Sequence, residues 1–155
     1  MARYTVIKTT NLGSGFDPIQ GGSCTRTLKI RENQSLFQLA EAIIAAYGFD
    51  LDHAFGFYDN LEDHYASTSV HTSFADFLDD DDPDHGLSVK KTKVSSVFEP
   101  GVERLFLFDY GDEWHFHLHC TETGLSGGDS KDAEVIAAQG NAPPQYPEYD
   151  EECEG

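Results

Sequence analysis

Cysteine is scarce in this chain of 155 residues: Cys24, Cys120 and Cys153 are an odd number with no C-x-x-C spacing. That argues against a disulfide framework and a zinc ribbon, and for a reducing compartment, the cytoplasm. Long apolar runs are missing too. No stretch approaches the ~20 apolar residues that cross a bilayer. The opening Met1-Ala2-Arg3-Tyr4-Thr5-Val6-Ile7 is too short and polar for a signal peptide, so no membrane role is expected. Basic residues are few: 10 Lys and Arg stand against 28 Asp and Glu, a net charge of −18. Such a surface repels phosphate backbones and anionic membranes, so direct nucleic-acid binding is strongly disfavoured. The acidity fits a basic protein partner, or adaptation to a salty cytoplasm, which the low lysine count also fits. The glycines of Asn11–Gly15 and Gln20–Ser23 lack the phosphate-binding spacing, and no helix follows them directly. No serine sits in a nucleophile elbow, so no catalytic and no cofactor-binding residue is assigned. Asp79 to Asp84 lacks the glycine and terminal glutamate of a calcium loop and reads as a solvated loop.

What is present is bulk for one core: eleven Phe, seven Tyr and one Trp in a chain 39% hydrophobic. Residues 1–140 read as a single compact α+β domain, and 141–155 as a proline-rich acidic tail. Tyr146 and Tyr149 are expected to anchor part of that tail on the domain. Arg3–Thr10 and Thr25–Ile30 are β-branched, alternating segments expected to pair as an antiparallel hairpin. Ser35-Leu36-Phe37-Gln38 is a capping box, after which Leu36, Leu39, Ala40, Ile43, Ile44 and Tyr47 recur at helical spacing up to Gly48. Ala54–Tyr58 is the next strand, and residues 59–73 read as loop with room for one more. Phe74–Leu78 is expected to form a helical turn, Val89–Phe98 a strand and turn, and Thr121–Ser130 a loop. Lys131–Gln139 reads as a short helix stopped by Gly140.

The centre of the chain is Leu105–Phe108, a turn at Asp109–Glu113, and Trp114–Cys120. Leu105-Phe106-Leu107-Phe108 is apolar on both parities, so that strand should be buried on both faces. Beyond the turn, Trp114, Phe116, Leu118 and Cys120 share one face of a strand, and His115, His117 and His119 the other. Trp114 and Phe116 should be buried against Leu39 or Ile43. The histidine face admits a metal site, a pH-sensitive surface or an ordinary half-solvated sheet. His at i and i+2 lie ~6–7 Å apart and can face one ion, but the outer two are ~13 Å apart. A site would use His115 and His117 with Asp109, Glu113 or His53. No metal is expected there, because a convincing third and fourth ligand are not visible. Asp109 and Asp112 flank Gly111, where short carboxylates accept backbone amides and tolerate unusual dihedrals. Cys120, on the apolar parity, reads as a buried inert thiol.

Three stretches resemble the plasmid pRiA open-reading-frame-three-like family, whose members are often passengers of plasmids and transposons. Ala46-Tyr47-Gly48-Phe49-Asp50, followed by His53 and Phe57, is similar to the family's Gly-Trp-Asp, then His, then Phe pattern. Phe108-Asp109-Tyr110-Gly111-Asp112-Glu113-Trp114 is similar to its aromatic-Asp-aromatic-Gly-Asp-x-Trp signature. Gly140–Pro147 is similar to its proline-rich closing element. Two departures stand out: Phe55 replaces a second histidine, and His115-Phe116 replaces the Arg-His after Trp114. The resemblance implies a ubiquitin-like (β-grasp-like) mixed sheet with one main helix across it. The family-motif residues His53, Asp109, Gly111, Asp112 and Trp114 are the ones it singles out. On these grounds the chain reads as a non-enzymatic protein-interaction module with a basic protein partner. The alternatives are a metal-binding protein or metal-dependent enzyme using the His-x-His-x-His strand, and an acidic nucleic-acid mimic acting on a mobile-element protein.

Overall fold

A computed structural model describes residues 2–13, 24–62, 66–73, 87–111, 113–126 and 132–140. Asp112, Phe74–Leu78, the aspartates of 79–84 and the tail 141–155 lie outside the described residues. In chain order the elements are β1 (Ala2–Asn11), β2 (Thr25–Arg31), α1 (Leu36–Ala46), β3 (Phe55–Tyr58), β4 (Val70–Thr72) and β5 (Leu87–Ser88). They continue with α2 (Val94–Val97), β6 (Glu103–Phe108), β7 (Trp114–Ser126) and β8 (Ala133–Gln139). The strands form one eight-stranded sheet in the order β5-β4-β3-β6-β7-β1-β2-β8, antiparallel except for β4 with β5.

The expected hairpin of β1 and β2 forms, with Tyr4 opposite Arg31 and Thr10 opposite Thr25. Helix α1 starts on the capping box: the Gln38 amide donates to Ser35 Oγ at 3.1 Å, and the Ser35 amide to Gln38 Oε1 at 2.9 Å. It ends at Gly48, whose φ of 74° is the left-handed stop. The buried stripe Leu36, Leu39, Ala40, Ile43 and Ile44 lies on one sheet face, in a cluster with Ile7, Leu28, Phe57, Phe106, Phe108, Trp114 and Phe116. Leu105–Phe108 is buried on both faces: Phe106 and Phe108 join that cluster, while Leu105 and Leu107 meet Tyr58, Val70 and Tyr110 on the other. Trp114 and Phe116 are buried in the cluster that holds Leu39 and Ile43; the ring against Trp114 is Phe49, centroids 4.8 Å apart.

Four expectations are corrected. The sheet, with eight strands among the described residues, is larger than the ubiquitin-like fold, and β7 runs on to Ser126 and pairs along all of β1. Residues 121–126 are therefore strand, not loop. Residues 133–139 form β8, not a helix; the open edge of β2 offers them a backbone ladder from Thr25 to Ile30. That ladder outweighs the helical preference of alanine, a weak prior that tertiary context overrides. Val89–Phe98 holds the single turn α2 rather than a strand, anchored by buried Val94 and Phe98.

Candidate functional site

Strand β6 stops at Phe108, and the chain turns through Asp109, whose φ is 67°. Aspartate accepts this left-handed geometry because its short carboxylate bonds locally. Here Asp109 Oδ1 takes the Gly111 amide at 3.1 Å, while its own amide donates to the Ala54 carbonyl at 2.9 Å. That bond joins the turn to the segment between α1 and β3. His53, in that segment, places Nε2 3.4 Å from Asp109 Oδ2 and 3.6 Å from Asp52 Oδ1. Its ring stands edge-on to Phe108, centroids 6.1 Å apart. Asp109 is buried; His53 and Asp52 are open to solvent.

Two stretches some sixty positions apart in the chain thus meet twice, at His53 with Asp109 and at Phe49 with Trp114. The indole N–H of Trp114 is buried and has no acceptor among the described residues. Beside His53 opens a cleft of about 480 Å³, lined by Phe37, Leu51, Asp52, His53, Ala54, Phe55 and Ser73. Its walls are aromatic and aliphatic, with Phe37 and Phe55 at 5.8 Å between centroids. The Ser73 hydroxyl is engaged in both roles: it accepts the Phe55 amide at 3.0 Å and donates to the Phe55 carbonyl at 3.2 Å. Lys90 holds its ammonium 5.0 Å from the Phe37 ring centroid, within cation–π range.

The histidine strand lies elsewhere. His115, His117 and His119 share the sheet face away from α1, all half-buried. His117 Nε2 meets Glu103 Oε1 at 2.6 Å, His115 Nε2 lies 4.0 Å from Glu113 Oε1, and the rings of His117 and His119 are 6.4 Å apart. His53 and Asp109 pair with each other. Among the described residues, no group of three or more His, Cys, Asp or Glu is placed to hold a metal ion. Burial pushes the Cys120 thiol up, in keeping with an inert side chain. Among the described residues, no helix is long and apolar enough to cross a membrane.

Sequence reasoning singled out His53, Asp109, Gly111 and Trp114 one by one, without pairing them. It missed Phe37, Leu51, Asp52 and Ser73, whose convergence depends on the loop after α1. The one signal was Phe37, an aromatic residue set off the apolar stripe of α1.

The plasmid pRiA4b ORF-3-like protein family matches residues 20–151, more than half of the chain. Comparison with the curated proteins finds no match. Among solved structures the chain is similar to MM3350, a protein of unknown function from Methanosarcina mazei Go1. The two are 19% identical with a TM-score of 0.73, over 94% of this chain and 74% of that one. At that identity the likeness bears on the fold alone. On the extent of the family match, the chain belongs to the plasmid pRiA4b ORF-3-like protein family.

Proposed function

We propose that the protein is a non-enzymatic interaction module whose cleft beside His53 receives a basic side chain of a protein partner. The observation that carries this reading is the cleft's composition: an apolar, aromatic wall with a carboxylate at the rim and a second one behind. Phe37, Phe55 and Leu51 suit the aliphatic stem of lysine or arginine, and Asp52 suits its charged end. Phe37 already attracts an ammonium, that of Lys90, on its ring face. The net charge of −18 draws a basic partner at long range and repels an anionic one. Binding rather than catalysis is favoured by Ser73, the one hydroxyl among the described residues that line the cleft, which spends both hydrogen-bonding roles on Phe55.

The test is a titration with blocked lysine (N-acetyl, N-methylamide), followed through the NMR signals of His53 and Phe37. Blocked norleucine, which keeps the stem and drops the charge, should bind roughly tenfold more weakly, a loss of about 1.4 kcal/mol. Blocked glutamate should not bind. Asp52→Asn should weaken lysine binding and leave norleucine unchanged. Equal binding of lysine and norleucine, or shifts scattered away from the cleft, would overturn the reading.

A further inference from the structure

The cleft beside His53 is graded from mouth to floor. Asp52 and His53 are exposed, Ala54 is half-buried, and Phe55 and Ser73 are buried. Residues 52–55 thus line the cleft from its open rim inward in three residue steps, at most ~10 Å of chain. Charge follows the same gradient. The mouth carries the Asp52 carboxylate, whereas the polar groups that Ser73 and Phe55 bring to the floor engage one another. The Ser73 amide donates to the Phe55 carbonyl at 2.9 Å, and the Ser73 hydroxyl bonds both the Phe55 amide and its carbonyl. A polar group brought there would lose its water without gaining a partner, whereas an apolar one is stabilised by burial. The cleft holds about 480 Å³, within the ~300–1,000 Å³ of sites that enclose a drug-sized molecule. One lysine side chain leaves much of that volume unfilled.

We infer, on the reading that the cleft takes a basic side chain, that its occupant is an extended segment of a partner protein. That segment carries one basic residue and one large apolar residue two positions apart, the basic one at the mouth and the apolar one on the floor. In an extended segment adjacent side chains point opposite ways, and those at i and i+2 share a side, ~6–7 Å apart. That spacing fits the three steps from Asp52 to Phe55. Lys90 selects an apolar second residue over a basic one. Its ammonium lies 5.0 Å from the ring centroid of Phe37. Phe37 lines the cleft and meets Phe55 at 5.8 Å between centroids. A cation on the floor would therefore face the Lys90 charge across an apolar surround, and like charges so placed repel. A dibasic segment is rejected even though the molecule as a whole carries −18.

Titration of the full chain with blocked tripeptides (N-acetyl, N-methylamide) tests this. Lys-Gly-Leu and Leu-Gly-Lys set the direction of the segment. The tighter of the two should bind about tenfold more strongly than blocked lysine, as burial of one leucine side chain requires. Replacing its leucine by serine or by lysine should return the affinity to that of blocked lysine or below. The Phe55 and Ser73 amide signals should move with the leucine peptide and not with the serine one. Lys90→Met, checked for folding by its melting temperature, should raise the affinity of Lys-Gly-Lys severalfold relative to the leucine peptide. Blocked lysine that binds at the cleft while leucine adds nothing would overturn the segment and leave lysine capture standing. Equal binding of Lys-Gly-Lys and the leucine peptide would do the same. Failure of blocked lysine to bind would overturn both.

Discussion

Gly56 on β3 lies beneath Tyr110, and a Cβ there would stand 2.6 Å from the Tyr110 hydroxyl oxygen and 2.9 Å from Tyr58 Cε2. Those two tyrosines share a hydroxyl bond of 2.6 Å over the missing side chain. Gly56→Ala therefore has to push Tyr110 aside, at a cost of roughly 1–3 kcal/mol. Tyr110→Phe removes the obstructing oxygen, so in a double-mutant cycle by urea unfolding the pair should cost less than the sum; strict additivity would contradict the packing. His71 offers a pH test. It is buried on β4, and burial, with Arg104 adding to it, holds its pKa below 6.5. As pH falls through 6.5 the unfolded chain takes up the proton first, so stability drops from there until the lower folded pKa is passed. The urea midpoint should fall between pH 7.5 and 5, and His71→Gln should flatten that slope. Asp59 acts at lower pH: burial raises its pKa, but hydrogen bonds from Thr68 and Ser69 prevail and lower it below 3.8. Its contribution is present above 3.8 and is lost as pH falls through the folded value, well clear of the His71 window.

At the scale of elements, α1 carries the sheet's cover and is tied at both ends. Its start is the reciprocal pair of Ser35 and Gln38, and its end is Tyr47, whose hydroxyl bonds Thr9 Oγ1 at 2.8 Å and the Thr9 carbonyl at 3.1 Å. Burial pushes the Tyr47 phenol up to about 12, so it stays a neutral hydroxyl throughout the useful pH range. Ser35→Ala should lower stability by about 1 kcal/mol, with Ser35→Asp restoring most of it, read from chemical denaturation. A cost near zero would mean that packing alone fixes the helix start. The cleft depends on the same element, since Phe37 lies in the first turn of α1. Cap variants should therefore also loosen lysine binding slightly.

For the whole molecule, the governing quantity is the excess of 28 acidic over 10 basic residues. Two of the ion pairs, Arg3 with Glu32 and Arg31 with Asp132, join partly exposed side chains, and pairs of that kind add little. Net self-repulsion should dominate the response to salt. The melting temperature should rise as the screening length shrinks from ~10 Å at 0.1 M to ~3 Å at 1 M salt. A rise that levels off in this range fits simple screening, and a rise that continues into molar salt fits adaptation to a salty interior. A falling melting temperature would contradict both.

The amphipathic patterns set by the sequence itself are the local ones. The stripe of α1 with its cap, the alternation of β1 and β2, and the double-sided apolar run Leu105–Phe108 each signal their element within a few residues, because each buries a face defined by its own period. The turn at Asp109 and the burial of Trp114 and Phe116 were legible for the same reason. Tertiary structure decided the rest. Whether Ala133–Gln139 coils or extends depends on a free edge at β2 that no local pattern announces, and the length of β7 depends on having all of β1 to pair with. The candidate site is of this second kind. His53 and Asp109 are polar residues in separate turns, and only the pairing of β3 with β6, Phe55 opposite Phe108, brings those turns together.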